Sequence, residues 1–205
     1  MLIRHLLKIA LIGFVSFNSL SASAEATIGK PAPAFSGAAA DGSTVNLSAL
    51  KGKTVVLEWT NHDCPYVKKH YESGNIPSLQ KEATAKGIVW LQVITSAPGS
   101  QGNVDGKTAI QINAYNNAKP TNTLLDADGK IGKAYEAQTT PHIFIINPQG
   151  VLVYKGGIDS IASTNKNDIS RAENYVKAAF SDLAAGKPVA KSSTKPYGCS
   201  VKYSS

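Results

Sequence analysis

Val55-Val56-Leu57 is apolar at three consecutive positions, and after a helical interval Ile88–Thr95 (IVWLQVIT) has the same character. A strand with one wet face alternates, so runs like these are buried on both sides, as in a sheet covered by helices. Thr54–Thr60 is therefore read as the first strong strand and Ile88–Thr95 as the second. Between them Pro65–Ser73 is predicted to be a helix closing at Gly74, and Pro77–Lys86 a further one that stops at Gly87. Strands joined through helices must run parallel.

The remaining segments fit the same plan. Gly29–Phe35 (GKPAPAF) is an extended lead-in, Asp41-Gly42 a turn and Thr44–Leu47 a short edge strand. Pro98–Gly106 (PGSQGNVDG) reads as a loop. Lys107–Ala118 is predicted to be a helix with Ile110 and Ala114 inward and Ile112 as a further inward candidate, ended by Pro120. Thr123–Leu125 is a short strand, Asp126–Gly129 a turn and Ile131–Glu136 a short helix. His142–Ile146 and Val151–Tyr154 flank the turn Asn147-Pro-Gln-Gly150, which makes them an antiparallel hairpin. Asp168–Ala185 is expected to be the last helix, with Asp168 as N-cap and a stripe through Val176, Ala179, Phe180 and Leu183. The fold class is α/β: a mixed sheet with helices on both faces. Its ligand edge lies at the carboxyl ends of the parallel strands, where the Asn61–Cys64 turn and the Pro98–Gly106 loop meet.

Met1–Ala24 reads as a signal peptide, with Arg4, His5 and Lys8 ahead of an apolar stretch and Ala22-Ser-Ala24 as the cleavage site. Its removal leaves a domain over residues 25–186 and a flexible cysteine-bearing tail over 187–205. The mature form keeps 19 of the 21 basic residues against 14 acidic ones, a formal charge of +5. Arg171 is its one arginine, which argues against nucleic acid as a partner. No membrane contact is expected after cleavage, and the expected location is periplasmic or secreted. Two cysteines, Cys64 and Cys199, survive in what would be an oxidising medium, so one bridge or one redox pair is expected.

Cys64 ends the turn after the first strand, and Pro65 follows it at a position suited to the first residue of a helix. The free N–H groups of that first turn and the helix dipole favour thiolate over thiol. Trp59, Asn61, His62 and Lys68 complete the expected thiolate environment.

On these residues the chain resembles the thioredoxin superfamily, in its redoxin or peroxiredoxin-like (AhpC/TSA-type) branch. The resemblance rests on Gly29–Phe35, on Trp59–Val67 (WTNHDCPYV), and on Thr139-Thr-Pro141 leading into His142–Ile146. It covers about residues 28–185. It implies that Cys64 is the attacking cysteine and that Thr140 and a cis-Pro141 position the substrate. The second cysteine of the thioredoxin motif is replaced by Val67, and Asn61 stands where peroxiredoxins carry threonine.

Cys199 is the remaining candidate partner. The 13 steps from Gly186 could span roughly 45 Å, well beyond a domain radius of about 15 Å. Tyr197-Gly-Cys199 looks more ordered than the Lys/Ser spacer before it, as if it docks. The expected function is thus exported thiol-disulfide oxidoreduction, with Cys64 as nucleophile and Cys199 as resolving cysteine. The expected partners are a protein thiol or disulfide, or a hydroperoxide, and an unidentified reductant. No cofactor is implied. Three other readings stay open: a permanent Cys64–Cys199 staple, a thiol peroxidase of low efficiency, and a non-catalytic redoxin that docks substrate or holds Cu(I) through His62, Cys64 and Cys199.

Overall fold

The computed structural model describes residues 25–204; the expected signal peptide lies outside them. Five strands form the central sheet in the order β5-β4-β3-β7-β8. They are β3 (Val55–Trp59), β4 (Val89–Ile94), β5 (Asn122–Leu125), β7 (His142–Ile146) and β8 (Leu152–Gly156). β3, β4 and β5 run parallel, whereas β7 and β8 are antiparallel to their neighbours. Every residue of β3, β4 and β7 is buried, as consecutive apolar runs demand. β1 (Ser36–Ala38) and β2 (Thr44–Asn46) form a separate small ribbon.

The crossovers from β3 to β4 and from β4 to β5 step the same way across the sheet, so right-handedness puts their helices on one face. These are α1 (Pro65–Glu72), α2 (Asn75–Ala85) and α3 (Gly106–Tyr115), and α5 (Tyr175–Ala184) joins them. Val56, Trp90, Ile143 and Ile145 point into that layer, against Val67, Ile76, Leu79 and Val176. Leu57, Trp59, Leu91, Val93 and Phe144 point the other way, onto α4 (Lys130–Tyr135) and the lead-in.

Three expectations are corrected. α2 begins before Pro77, which sits in its first turn, where a missing N–H costs nothing. In α3, Ala109 is the buried residue, Ile110 is 49 % exposed and Ala114 is exposed. Asp105 accepts from Thr108 N at 2.7 Å and starts the helix at Gly106, and Ala109, Ile112 and Asn113 form the side turned towards the cleft with α1. The last helix starts at Tyr175, capped by Asn174, and Asp168 lies in a 3-10 turn, Lys166–Ser170. Asp168 is already engaged by Ser163 Oγ at 2.6 Å and by Arg171. Tyr175 N donates to Ile158 O at 3.0 Å and Ser160 N to Glu173 O at 3.1 Å, which hold the approach to α5 extended.

The tail, expected to be flexible, lies along the domain. Thr194 N donates to Lys155 O and Gly157 N to Thr194 Oγ1. Further on, Val201 N donates to Gln138 O at 3.0 Å, Ala97 N to Lys202 O at 2.8 Å and Tyr203 Oη to Ala137 O at 2.8 Å. Its polar groups thus find partners on β8 and on both loops at the sheet's carboxyl edge. No helix among the described residues is long and apolar enough to cross a membrane.

Candidate active site

Asn61 builds the turn that delivers Cys64. Its side-chain oxygen accepts from Asp63 N at 3.0 Å and its carbonyl from Cys64 N at 3.0 Å, an Asx turn that closes in three residues. Its amide nitrogen donates to Gln101 O at 3.1 Å, tying the turn to the 98–106 loop. Cys64 is the N-cap residue of α1; Pro65 opens the helix and Lys68 N makes the first helical bond to Cys64 O at 2.9 Å.

The Thr140–Pro141 bond is cis. Cys64 Sγ donates to Thr140 O at 3.1 Å, and no part of Cys64 is exposed. Its cover is the tail. β6 (Thr139–Thr140) pairs antiparallel with β9 (Cys199–Ser200), placing Cys199 opposite Thr140. Both cysteines are free thiols. Burial works against a charged Cys64, but bonds from the Cys199 side chain, the Val67 N–H and the Cys199 N–H outweigh it and draw the thiol below its usual range. Cys199 goes the other way, to about 11, through burial first and then the adjacent Cys64 sulfur. The two thiols meet at the Thr139–Thr140 edge, and the first anion of the pair forms on Cys64.

The other expected site residues divide. Thr140 and Pro141 are at the sulfur, and Asn61 acts on its turn. Trp59 does not belong to the thiol's surroundings: it points to the opposite face, its ring 5.0 Å from Phe144 and 5.5 Å from Tyr135, with Nε1 donating to Thr95 Oγ1 at 3.0 Å. Strand alternation from Leu57 sends it there, and the turn then carries Cys64 to the helix side. His62 is 31 % exposed and its Nε2 is 3.5 Å from Asp63 Oδ2; Lys68 is exposed. Both line a cleft of about 210 Å³ between α1 and α3, beside the sulfur pair but not lined by it. Among the described residues no three His, Cys, Asp or Glu side chains converge as metal ligands, so His62, Cys64 and Cys199 are not assembled as the copper reading required.

Two buried clusters were missed from sequence. Glu58, on the helix side of β3, accepts from Tyr71 Oη at 2.5 Å, Trp90 Nε1 at 2.7 Å and Gln80 Nε2 at 3.1 Å. Burial raises it to about 7 against the pull of those donors. Its only signal was an acid inside an apolar run. The second cluster joins Asp159, Lys69 and His70 to Tyr197: Tyr197 Oη donates to Asp159 Oδ1 at 2.5 Å and sits 3.1 Å from His70 Nε2. His70 is fully buried, and burial lowers it to about 4.

Comparison with known proteins agrees with this architecture. Over 151 residues the chain is 28 % identical to the thiol-disulfide oxidoreductase ResA of Bacillus subtilis (strain 168), covering 72 % of this chain and 78 % of that protein. An uncharacterized conserved protein from Geobacillus kaustophilus superposes with a TM-score of 0.69 at 24 % identity, over 87 % of this chain and 93 % of the other. A hypothetical protein from Sinorhizobium meliloti 1021 gives 0.70 at 21 %, over 87 % and 96 %. The thioredoxin domain of a thiol-disulfide oxidoreductase from Bacteroides vulgatus gives 0.51 at 22 %, over 71 % and 96 %, and that likeness makes the fold thioredoxin-like. The AhpC/TSA family profile matches residues 28–155, and the chain belongs to that family, a redoxin of the thioredoxin superfamily.

Proposed function

We propose that this oxidoreductase is an exported thiol-disulfide exchange enzyme in which Cys64 attacks and Cys199 resolves. The observation that carries the reading is that two free thiols meet at one residue: Cys64 Sγ donates to Thr140 O and Cys199 pairs with the same Thr140, with Cys64 drawn towards the thiolate and Cys199 held as the thiol. Cys64 thiolate attacks one sulfur of a substrate disulfide; a Cys64–substrate bond forms, the substrate S–S bond breaks, and the released thiolate takes a proton. Once Cys64 is bonded, its charge no longer opposes ionisation of Cys199. Burial still raises Cys199, while Lys202 lowers it. Cys199 thiolate then attacks Cys64 Sγ, closing Cys64–Cys199 and releasing the second substrate thiolate. The substrate disulfide is reduced by two electrons, and an external dithiol must reopen the pair. The likeness to the Bacillus subtilis oxidoreductase supports exchange chemistry, and the leader-like Met1–Ala24 supports an extracytoplasmic site of action.

The test is to mix the reduced protein with a protein disulfide such as insulin and separate the products without reductant. Cys199→Ser should accumulate a covalent adduct through Cys64, wild type should release reduced substrate and close its own pair, and Cys64→Ser should do neither. Peroxide consumption by wild type, with no adduct in Cys199→Ser, would favour a peroxidase instead. A Cys64–Cys199 bond that opens only after denaturation would make it a staple.

A further inference from the structure

The β9 strand lies along the same Thr139–Thr140 edge whose carbonyl receives the Cys64 thiol, and Cys64 has no exposure. An incoming protein segment needs that edge and that sulfur together, so the tail and a protein substrate compete for one place.

The tail is anchored there by a buried polar cluster. Tyr197 lies two residues before Cys199; its ring meets Tyr66 edge-on at 5.8 Å and its hydroxyl reaches Asp159 and His70. Because that hydroxyl donates to Asp159, His70 Nε2 carries the proton, and His70 Nδ1 accepts from Asn75 Nδ2 at 2.8 Å. Asp159 Oδ2 is buried with no hydrogen-bond partner, 3.7 Å from Lys69 Nζ and 3.9 Å from His70 Nε2. A carboxylate enclosed this way depends on its donors at Oδ1, the Tyr197 hydroxyl and Ile161 N at 3.0 Å, and removing the hydroxyl takes away the one that comes from the tail. Gly198 fits the crossing: a Cβ there would lie 2.0 Å from Thr140 O, and its φ is +141°.

We infer that Tyr197, held by Asp159, is the latch of a built-in cover, and that Cys64 opens to protein substrates only when the tail strand lifts. This rests on the exchange reading for its purpose, but the cover itself is testable apart from it. The substrate class follows: extended, cysteine-bearing protein segments able to take the place of Tyr197-Gly-Cys199 on the Thr139–Thr140 edge.

The experiment is site-resolved alkylation of the fully reduced, full-length protein with iodoacetamide, followed by mass spectrometry of the Cys64 and Cys199 peptides. Tyr197→Phe keeps the ring and removes the donor; Gly198→Ala pushes the strand off from a second point. Each should speed Cys64 alkylation by about ten-fold or more, since a hydrogen bond to a buried charge contributes on that scale. Cooperative unfolding should be retained. Unchanged Cys64 rates in both variants would overturn the latch. If the rates rise but no Cys64–Cys199 bond ever forms on oxidation, the cover stands and the resolving role of Cys199 falls.

Discussion

Thr140 and Cys199 face each other across an antiparallel ladder two residues long, and the carbonyl of the same Thr140 receives the Cys64 thiol at 3.1 Å. One residue therefore joins both cysteines, by the sulfur of one and the backbone of the other. Thr140 Oγ1 is buried and its substitution acts on both sides. Thr140→Val, which keeps the shape and loses the hydroxyl, should raise the Cys64 pKa, because a bond from that side chain is one of the groups lowering it. Alkylation of Cys64 against pH would show the inflection moving up.

The two thiols should titrate apart. Cys64 should alkylate with an inflection below its ordinary value of 9.0, and Cys199 only near pH 11. Blocking Cys64 removes its sulfur as a cause of the Cys199 shift, so Cys199 should then react at lower pH. A rate profile for each peptide, before and after Cys64 is capped as a mixed disulfide, checks both.

Glu58 predicts a pH-dependent stability of definite sign. Its folded value of about 7 lies above the model-peptide 4.5, so the folded state keeps a proton that the unfolded state has lost. That contribution is complete below pH 4.5 and is lost as pH rises to 7. The gap, at about 1.4 kcal/mol per pH unit, makes the loss about 3 kcal/mol at most. Urea unfolding should show wild type weakening over this window, and Glu58→Gln should flatten the dependence.

Asn61 and Gly102 should behave as a coupled pair. Asn61→Ala deletes the bonds to Asp63 N and Gln101 O and should cost about 1–3 kcal/mol. Gly102→Ala places a Cβ 2.4 Å from the Asn61 side chain at φ +84° and should also destabilise. With Asn61 truncated the clash disappears, so the double variant should lose less than the sum of the two, by thermal unfolding.

The framework was legible where its cause is local. Consecutive apolar residues in β3 and β4, Pro65 after Cys64, and the NPQG turn each fix their own neighbourhood, and the structure keeps all of them. Asp168 shows the limit: chemically a good cap, it is taken by Ser163 and Arg171, and a return contact from Ile158 moves the helix start to Tyr175. Ile110 faces outward because α3 turns Ala109, Ile112 and Asn113 towards the cleft with α1, a contact between distant segments. At the site, Cys64, Thr140 and Pro141 are brought together as expected from resemblance. Trp59 and the Asp159 cluster were illegible, since the first depends on which side the Asn61 turn swings and the second joins α1 to residues some 90 and 127 positions away.

The Trp90 indole donates to Glu58 Oε2 at 2.7 Å, whereas the only other tryptophan, Trp59, donates to the Thr95 hydroxyl. Ionisation of Glu58 therefore places a negative charge in hydrogen-bond contact with the Trp90 indole, so that the emission of an intrinsic fluorophore answers to an interior proton.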